Sequence, residues 1–368
     1  MSSSEVNIIE KHFRKILNLK GMIMEFGLDL GTKNIVLSFY DKNNNIKFRK
    51  EVNGFYKVPN DNAFAKNMLI SAGVPFIEQN NTFIALGSKA EEIAHAFNKT
   101  LRRPMSDGVL SQGEEDAIEI MAVIVQNLIG HNLDEDSILY YCVPAKAINS
   151  NINIDFHRRI AQMIINGYES KNGNKIQGYS INEAQALVLS SIPSKTGIGI
   201  SWGAGMVNVC YCLFGLPVYS FSVVGSGDWI DIESARQYGY NPEKPEGDYK
   251  QTPTTISRIK EKVALSSMPS DNVERTIYIN YTILMDNVID GIIKGFKENE
   301  DKARISDAIP VVVAGGTSSP EGFTELFKEQ FINKSPPFEV GEIQKHEKPL
   351  YAVAQGCLEA AHLHQGKE

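Results

Sequence analysis

Cysteine is scarce in this sequence, with 4 among 368 residues, and so are the patterns that cysteine usually builds. None of the four has the paired spacing of a zinc site, and Cys210 and Cys212 lie together in a strand-like apolar run. The other two are Cys142 and Cys357. Because disulfides are rare in cytosolic chains, we interpret all four as reduced thiols of the core.

Long apolar runs are also absent, and no window approaches the roughly 18–20 apolar residues of a membrane-spanning helix. The first residues lack the basic and then apolar layout of a signal peptide. The net charge is −7 and the pI about 5.6, so bulk electrostatics gives no reason to expect a nucleic-acid partner. We therefore expect a soluble protein of the cytoplasm.

The length of the chain exceeds what one ordinary core accommodates, and its apolar (42%) and charged (22%) fractions are those of a globular protein. Strand-like and helical stretches alternate twice, which predicts an α/β fold made of two related halves. We expect an N-terminal extension over 1–21, a first domain over 22–190 plus 345–368, and a second domain over 191–344. Each domain is expected to carry a small subdomain, at about 50–100 and about 228–280.

Hydrophobic periodicity predicts the individual elements. The predicted helices are 5–20, 90–97, 113–131, 155–166, 182–191, 228–238, 254–267, 282–297, 322–331 and 352–362. The predicted strands are two within 26–40, followed by 138–143, 198–201, 207–214, 217–224, 276–279 and 309–314.

Three glycine-containing turns follow apolar strands, where a bound phosphate could approach the backbone. They consist of Gly31, Thr32, Lys33 and Asn34; of Gly203, Ala204 and Gly205; and of Gly315, Gly316 and Thr317. Glycine allows close approach and unusual dihedral angles, so that backbone N–H groups can cradle a polyphosphate. Thr32 and Asn34 would add side-chain donors, and Asp29, at the end of its strand, could hold Mg²⁺ through water. Each turn alone also fits an ordinary tight turn, and only the spacing of the set favours a phosphate site.

With these turns in place, the sequence resembles the superfamily of actin, sugar kinases and the 70-kDa heat-shock chaperones. Five segments appear in the order of that superfamily: the first phosphate loop, the first connecting segment, the second phosphate loop, the adenosine segment and the second connecting segment. They cover 29–34, 181–186, 201–209, 311–322 and 352–356. The resemblance implies an actin-like fold, two related α/β domains with mixed sheets and a cleft between them that holds ATP or ADP with Mg²⁺.

Two further stretches favour the bacterial actin branch. Residues 259–263 are similar to the actin stretch whose Lys and Glu border the adenine and ribose, which implies nucleotide contacts by Lys260 and Glu261. Residues 103–110 are similar to a turn of the MreB and MamK actins. Taken alone, each stretch also fits a surface helix or loop.

Glu183 is the candidate catalytic residue. In the family that the sequence resembles, the residue at this place orients the water that attacks the γ-phosphate, and MreB and MamK use Glu there. A carboxylate can polarise that water while other groups stabilise the transferring phosphoryl group. The alternative is a helix N-terminal Glu that the helix dipole stabilises.

The second phosphate loop departs from the family pattern Asp-x-Gly-x-Gly-Thr-Thr-Asp. Ser201 replaces an Asp that helps to organise the water shell of the metal, and Met206 and Val207 replace hydroxyl residues near the phosphates. The glycines remain, so backbone cradling survives while Mg²⁺ is held more weakly. We therefore predict nucleotide binding with slow hydrolysis. Thr317 also stands where MreB and MamK have a third glycine, which leaves base selectivity open.

The branch resemblance implies a cytoskeletal protein that polymerises with itself. Two classes of the same fold are alternatives: a chaperone-like reactivating factor, and a sugar or acetate kinase. A kinase needs a catalytic Asp, and we interpret the nearby candidate, Asp107, as structural. The predicted helix over 5–20 has a narrow apolar stripe and local positive charge. It fits membrane-surface contact or packing on the body or on a neighbouring subunit, and a start at Met22 or Met24 is a third possibility.

Overall fold

The computed structural model of the protein describes residues 25–59, 63–79, 82–97, 99–114, 116–130, 133, 137–170, 173–245, 247–303 and 307–365. The helix predicted over 5–20 lies outside these residues. Among the helices that are described, none is both long and apolar enough to cross a membrane.

The described strands and helices alternate along the chain. The strands are β1 (Glu25–Leu30), β2 (Asn34–Tyr40), β3 (Ile46–Val52), β4 (Phe55–Pro59), β5 (Phe76–Gln79), β6 (Thr82–Leu86), β7 (Met105–Ser106), β8 (Val109–Leu110), β9 (Ile138–Val143), β10 (Gln177–Asn182), β11 (Gly197–Trp202), β12 (Met206–Leu213), β13 (Leu216–Val224), β14 (Ile309–Ala314) and β15 (Val340–Lys345). The helices are α1 (Ala63–Ser71), α2 (Gly87–Ala96), α3 (Ala117–Ile129), α4 (Ile154–Asn166), α5 (Glu183–Ser191), α6 (Gly227–Arg236), α7 (Pro253–Lys260), α8 (Asn272–Glu298), α9 (Glu300–Ala303), α10 (Phe323–Asn333) and α11 (Ala352–His364).

Two five-stranded sheets share one topology. The first sheet has the order β10-β9-β1-β2-β3, and the second has the order β15-β14-β11-β12-β13. In each, three consecutive antiparallel strands form a meander. A later strand pairs in parallel with the first strand of the meander, and a fifth strand pairs in parallel with that later strand. The two related α/β halves expected from the alternation of elements are confirmed.

The first strand of each meander is deeply buried. Every residue of β11 is buried, and in β1 only Asp29 keeps partial exposure. Near-continuous apolar strands of this kind are typical of sheets that are covered on both faces. Asp29 is therefore the point at which the centre of the first sheet becomes accessible.

One helix lies against each central strand. A Cβ atom added to Gly27 of β1 would lie 2.2 Å from the carbonyl oxygen of Ala354, which belongs to α11. A Cβ atom added to Gly199 of β11 would lie 2.3 Å from the carbonyl oxygen of Ala184, which belongs to α5. Glycine is required at both places because the helix backbone occupies the space that a side chain needs.

The same two helices cross each other between the sheets. A Cβ atom added to Gly356 of α11 would lie 1.8 Å from the carbonyl oxygen of Ala186 in α5. The pair α5 and α11 thus connects the two sheets through a backbone contact that tolerates no side chain.

Some predicted elements differ from the structure. The strand predicted over 276–279 is wrong, because α8 runs without a break from Asn272 to Glu298. In a strand Ile277 and Ile279 would lie on the same face, whereas in this helix Ile277 is buried and Ile279 is exposed. The side chain of Asp271 accepts hydrogen bonds from the amides of Val273 and Glu274 and so starts the helix earlier than the periodicity indicated.

Two other helices also differ from the prediction. The helix predicted over 254–267 ends at Lys260, after which the amide of Leu265 donates to the carbonyl oxygen of Glu321. Helix α1 was not predicted at all. All four cysteines are buried and free, as expected.

Candidate functional site

The first glycine turn joins β1 to β2 and contains Gly31, Thr32 and Lys33. A Cβ atom added to Gly31 would lie 2.5 Å from the carbonyl oxygen of Asn34, so the turn closes only with glycine. In the described part of the chain, the amides of Thr32 and Lys33 donate to no other backbone group. They are therefore available to an anion.

Asn53, which the sequence did not single out, supports this turn from behind. It is fully buried, and its Nδ2 donates to the carbonyl oxygen of Gly31 over 2.9 Å. Its backbone amide donates to the carbonyl oxygen of Lys33, also over 2.9 Å. One residue thus fixes both ends of the turn, and no local pattern marks it.

The second glycine turn joins β11 to β12 and lies at the equivalent place in the second sheet. The amide of Gly203 donates to the carbonyl oxygen of Met206 over 3.0 Å, and this bond closes the turn. Among described residues, the amides of Ala204 and Gly205 donate to no other backbone group. Their carbonyl oxygens accept from Asp228 and Gly225 at 2.8 and 3.0 Å, which leaves the N–H side of the turn for a ligand.

The adenosine segment packs directly onto the second turn. Gly315 has a φ of 97°, and a Cβ atom added to it would lie 2.2 Å from the carbonyl oxygen of Trp202. Thr317 Oγ1 donates to the carbonyl oxygen of Gly203 over 2.7 Å, and Gly316 begins the 3₁₀ turn between the two. The hydroxyl of Thr317 therefore orients the phosphate loop, which is a structural use that differs from the predicted nucleoside contact.

Lys260 and Glu261 lie beside this assembly but face different partners. The buried ammonium group of Lys260 donates to the carbonyl oxygen of Gly227 over 2.5 Å and pairs with Asp231 Oδ1 at 2.8 Å. Burial raises the pKa of Asp231 to about 6, although the Lys260 charge counteracts this. Glu261 Oε1 is exposed and lies 3.6 Å from Lys33 Nζ, so two residues predicted at the nucleotide meet across the cleft.

Glu183 is the first residue of α5, and both of its carboxyl oxygens are occupied. Ser201 Oγ donates to Oε1 over 2.6 Å, and Asn208 Nδ2 donates to Oε2 over 2.8 Å. Asn182 caps the helix by accepting from the amides of Ala184 and Gln185, so the helix does not need Glu183 as its cap. The sequence identified Ser201 as a departure from the pattern but did not reveal its contact with Glu183.

Two carboxyl groups of the site have raised pKa values. Burial, followed by the nearby charge of Asp29, raises the pKa of Glu183 to about 8. Burial raises the pKa of Asp29 to about 6, and the thiol of Cys142, 3.2 Å from Oδ1, counteracts this. Desolvation disfavours the charged form, and two neighbouring carboxylates disfavour each other. At neutral pH, Glu183 is therefore mostly protonated.

The turn between β7 and β8 reaches across the cleft to the second phosphate loop. A Cβ atom added to Gly205 would lie 2.3 Å from the amide nitrogen of Gly108, and one added to Gly108 would lie 2.4 Å from the side chain of Met206. Arg103 Nη1 pairs with Asp228 Oδ2 at 2.8 Å. Met206 thus fills the contact between the two halves.

The predicted site residues fall into three groups. The second phosphate loop and Gly315 to Thr317 form one connected structure, the first phosphate loop lies on the other sheet, and Asp29 and Glu183 form an interacting carboxyl pair. Lys33 and Glu261 close over the cleft, whereas Lys260 is bonded within its own half. Binding of a nucleotide by these residues stays a prediction.

The chain has recognisable relatives. The family described as Volactin matches residues 24–361. No protein of curated function matches the sequence. The MamK double helical filament has a TM-score of 0.65 and 15% identity, covering 93% of this chain and 99% of that one.

Two further solved structures are similar. A non-polymerising MamK mutant bound to AMPPNP has a TM-score of 0.54 and 19% identity, covering 93% and 99% of the two chains. The ethanolamine utilization protein EutJ from Carboxydothermus hydrogenoformans has a TM-score of 0.52 and 16% identity, covering 97% of each chain. The fold is therefore actin-like, as the sequence predicted.

Proposed function

Because this chain belongs to the Volactin family and has an actin-like fold, we propose that it is a nucleotide-binding protein that assembles with itself into filaments. The nucleotide would be ATP or ADP and would lie in the cleft between the two sheets. One of the structurally similar proteins is a double helical filament, and another is bound to AMPPNP.

The observation that carries nucleotide binding is the symmetry of the two glycine turns. Each follows the buried central strand of its sheet, and each leaves backbone amides without a backbone acceptor in the described part of the chain. Amides arranged in this way bind phosphate oxygens, and two such turns can hold a polyphosphate from both sides. Lys33, at the rim, would add positive charge.

The nucleoside would lie on the second half, against Gly315, Gly316 and Thr317. Glu261 ends α7 next to this segment and is exposed to solvent. An exposed carboxylate can accept hydrogen bonds from ribose hydroxyl groups. Lys260 would act indirectly, since its ammonium group is bonded to Gly227 and Asp231.

Hydrolysis would be slow in this site. Glu183 would orient the attacking water, but a carboxyl group with a pKa of about 8 is mostly protonated at neutral pH and polarises water weakly. Both of its oxygens also accept hydrogen bonds already. Asp29 is the residue that would hold Mg²⁺ through water.

Assembly would follow from closure of the cleft. The contacts between the halves, Lys33 with Glu261, Arg103 with Asp228 and Gly108 with Met206, lie around the proposed phosphate site. A ligand that binds the closed arrangement more tightly shifts the population toward it. Closure would change the surface that one subunit offers to the next.

Sedimentation with and without Mg-ATP, with pellets viewed by negative-stain electron microscopy, tests the proposal. We expect ATP-dependent pellets that contain filaments. A protein that binds a fluorescent ATP analogue yet stays in the supernatant across salt and protein concentrations would contradict assembly and favour a non-filamentous factor of this fold. Absence of nucleotide binding would refute the proposal as a whole.

The role of Glu183 has its own test. Glu183→Ala should bind the ATP analogue as wild type does but release phosphate more slowly, which would stabilise filaments. Glu325→Ala is the control, since Glu325 is also in the first turn of a helix but is exposed. Equal phosphate release by wild type and Glu183→Ala would remove Glu183 from the mechanism.

A further inference from the structure

The positions of Ser201 and Asn208 suggest how this site treats divalent cations. The pattern that the second phosphate loop resembles has Asp at both places, whereas this chain has two neutral residues that donate hydrogen bonds. Both are buried, Ser201 with 2% of its surface exposed and Asn208 with none. The two replacements lie against the same carboxyl group and therefore act together.

The orientation of the Asn208 amide is fixed by a second contact. Its Oδ1 accepts from the backbone amide of Ala145 over 3.1 Å, so its Nδ2 must face Glu183. An Asp at 208 could accept from Ala145 but would place a carboxylate oxygen against Glu183. An Asp at 201 would do the same from the other side. Neutral donors at both places avoid adding negative charge beside the Asp29 and Glu183 pair without help from a cation.

The donor set of the site fits Mg²⁺ poorly. Among described residues, no group of three His, Cys, Asp or Glu side chains is arranged to hold a metal. Glu183 is occupied on both oxygens, and Asp29 Oδ1 accepts from the Cys142 thiol. Mg²⁺ prefers several oxygen ligands with at least one or two carboxylates, usually through water. Of the carboxyl pair Asp29 and Glu183, Asp29 is the member that offers this.

We propose that this site binds the nucleotide polyphosphate without requiring a divalent cation, because Ser201 and Asn208 replace two negative charges with hydrogen-bond donors. The inference rests on the proposed nucleotide binding. A nucleotide without metal carries its full negative charge, and carboxylates beside the phosphates would repel it. In this site the phosphates meet the backbone amides of the two turns and Lys33 instead.

The test compares affinities of the purified chain for a fluorescent ATP analogue in excess Mg²⁺ and in EDTA. We expect the two dissociation constants to agree within about threefold, since a factor of that size is under 1 kcal/mol. Binding that weakens by about a hundredfold or more in EDTA would overturn the inference while leaving nucleotide binding intact. Absence of binding under both conditions would refute the proposed function and this inference with it.

Variants test whether the two residues are responsible. Ser201→Asp should weaken binding in EDTA by about tenfold and leave binding in Mg²⁺ less affected, because the new charge repels the bare phosphates. The control Ser194→Asp adds the same charge at an exposed position, and its dissociation constants in EDTA and in Mg²⁺ should have the wild-type ratio. If folded Ser201→Asp has the wild-type ratio of these dissociation constants, Ser201 is not responsible for binding without a cation.

Asn208→Leu removes a donor without adding charge. It frees one oxygen of Glu183 and should keep the wild-type ratio of the dissociation constants in Mg²⁺ and in EDTA. A strong Mg²⁺ dependence in this variant would show that charge at 208 is not the determinant. This variant keeps the inference testable if Ser201→Asp does not fold.

Discussion

The buried imidazole of His157 should make the stability of this protein fall in mild acid. His157 lies on α4 with 2% of its surface exposed, and its Nδ1 accepts from the backbone amide of Leu110 over 3.2 Å. That bond requires the neutral ring. Burial, followed by the charge of Arg158, lowers the pKa of His157 from 6.5 to about 4.

The direction and size of the effect follow from proton linkage. Between pH 6.5 and 4, the unfolded chain binds a proton at this residue and the folded chain does not, so stability falls as the pH falls. With these two pKa values, the loss between pH 7.5 and pH 5 is about 2 kcal/mol. Because the ring is almost fully buried, solvent screens little of this effect.

The assay is urea unfolding of wild type and His157→Gln at several pH values. Gln keeps an acceptor for the Leu110 amide but does not titrate, so the variant carries every other pH dependence of the protein. We expect the free-energy difference between wild type and variant to shrink by about 2 kcal/mol from pH 7.5 to pH 5. A difference that stays constant over this range would show that His157 is not held neutral by the fold.

Two further predictions concern the contact between the sheets and the rim of the cleft. Gly356→Ala should lower the free energy of unfolding by about 2 kcal/mol or more, because the new methyl group meets the Ala186 backbone, whereas Gly113→Ala, which meets nothing within 4 Å, should not. Equal urea midpoints for both variants would contradict the tight helix contact. Lys33→Glu should weaken binding of the ATP analogue while changing stability by under about 1 kcal/mol, since its ion pair is exposed. Adding Glu261→Lys should restore the pair but not the affinity, and full recovery would argue against a phosphate contact of Lys33.

The local sequence pattern was sufficient to predict those features that depend on neighbouring residues. The two phosphate loops were predicted because a strand, a glycine turn and a second strand are contiguous, and the register confirms a tight turn after Leu30 and after Trp202. The duplicated α/β architecture was predicted from the alternation of strand-like and helical stretches, and the likeness to MamK from residues 103–110; both are confirmed. Glycine, strand periodicity and segment order are all visible without coordinates.

Other features depended on residues distant in the sequence. Residues 276–279 belong to the long helix α8, which buries one face through Tyr281 and other residues at helical spacing. A segment of a few residues is too short to show this spacing. The domain boundaries and the role of the N-terminal helix stay predictions.

The sequence by itself determined where the chain turns, which halves repeat and which residues lie at the strand ends. Only the tertiary structure decided what those residues contact: Ser201 and Asn208 with Glu183, Asn53 with the first turn, and Lys260 with Asp231. The physical reason is that a turn is fixed by the dihedral preferences of adjacent residues. A buried hydrogen bond between distant residues is fixed only when packing brings the two together, and the pKa values of the site follow from that same burial.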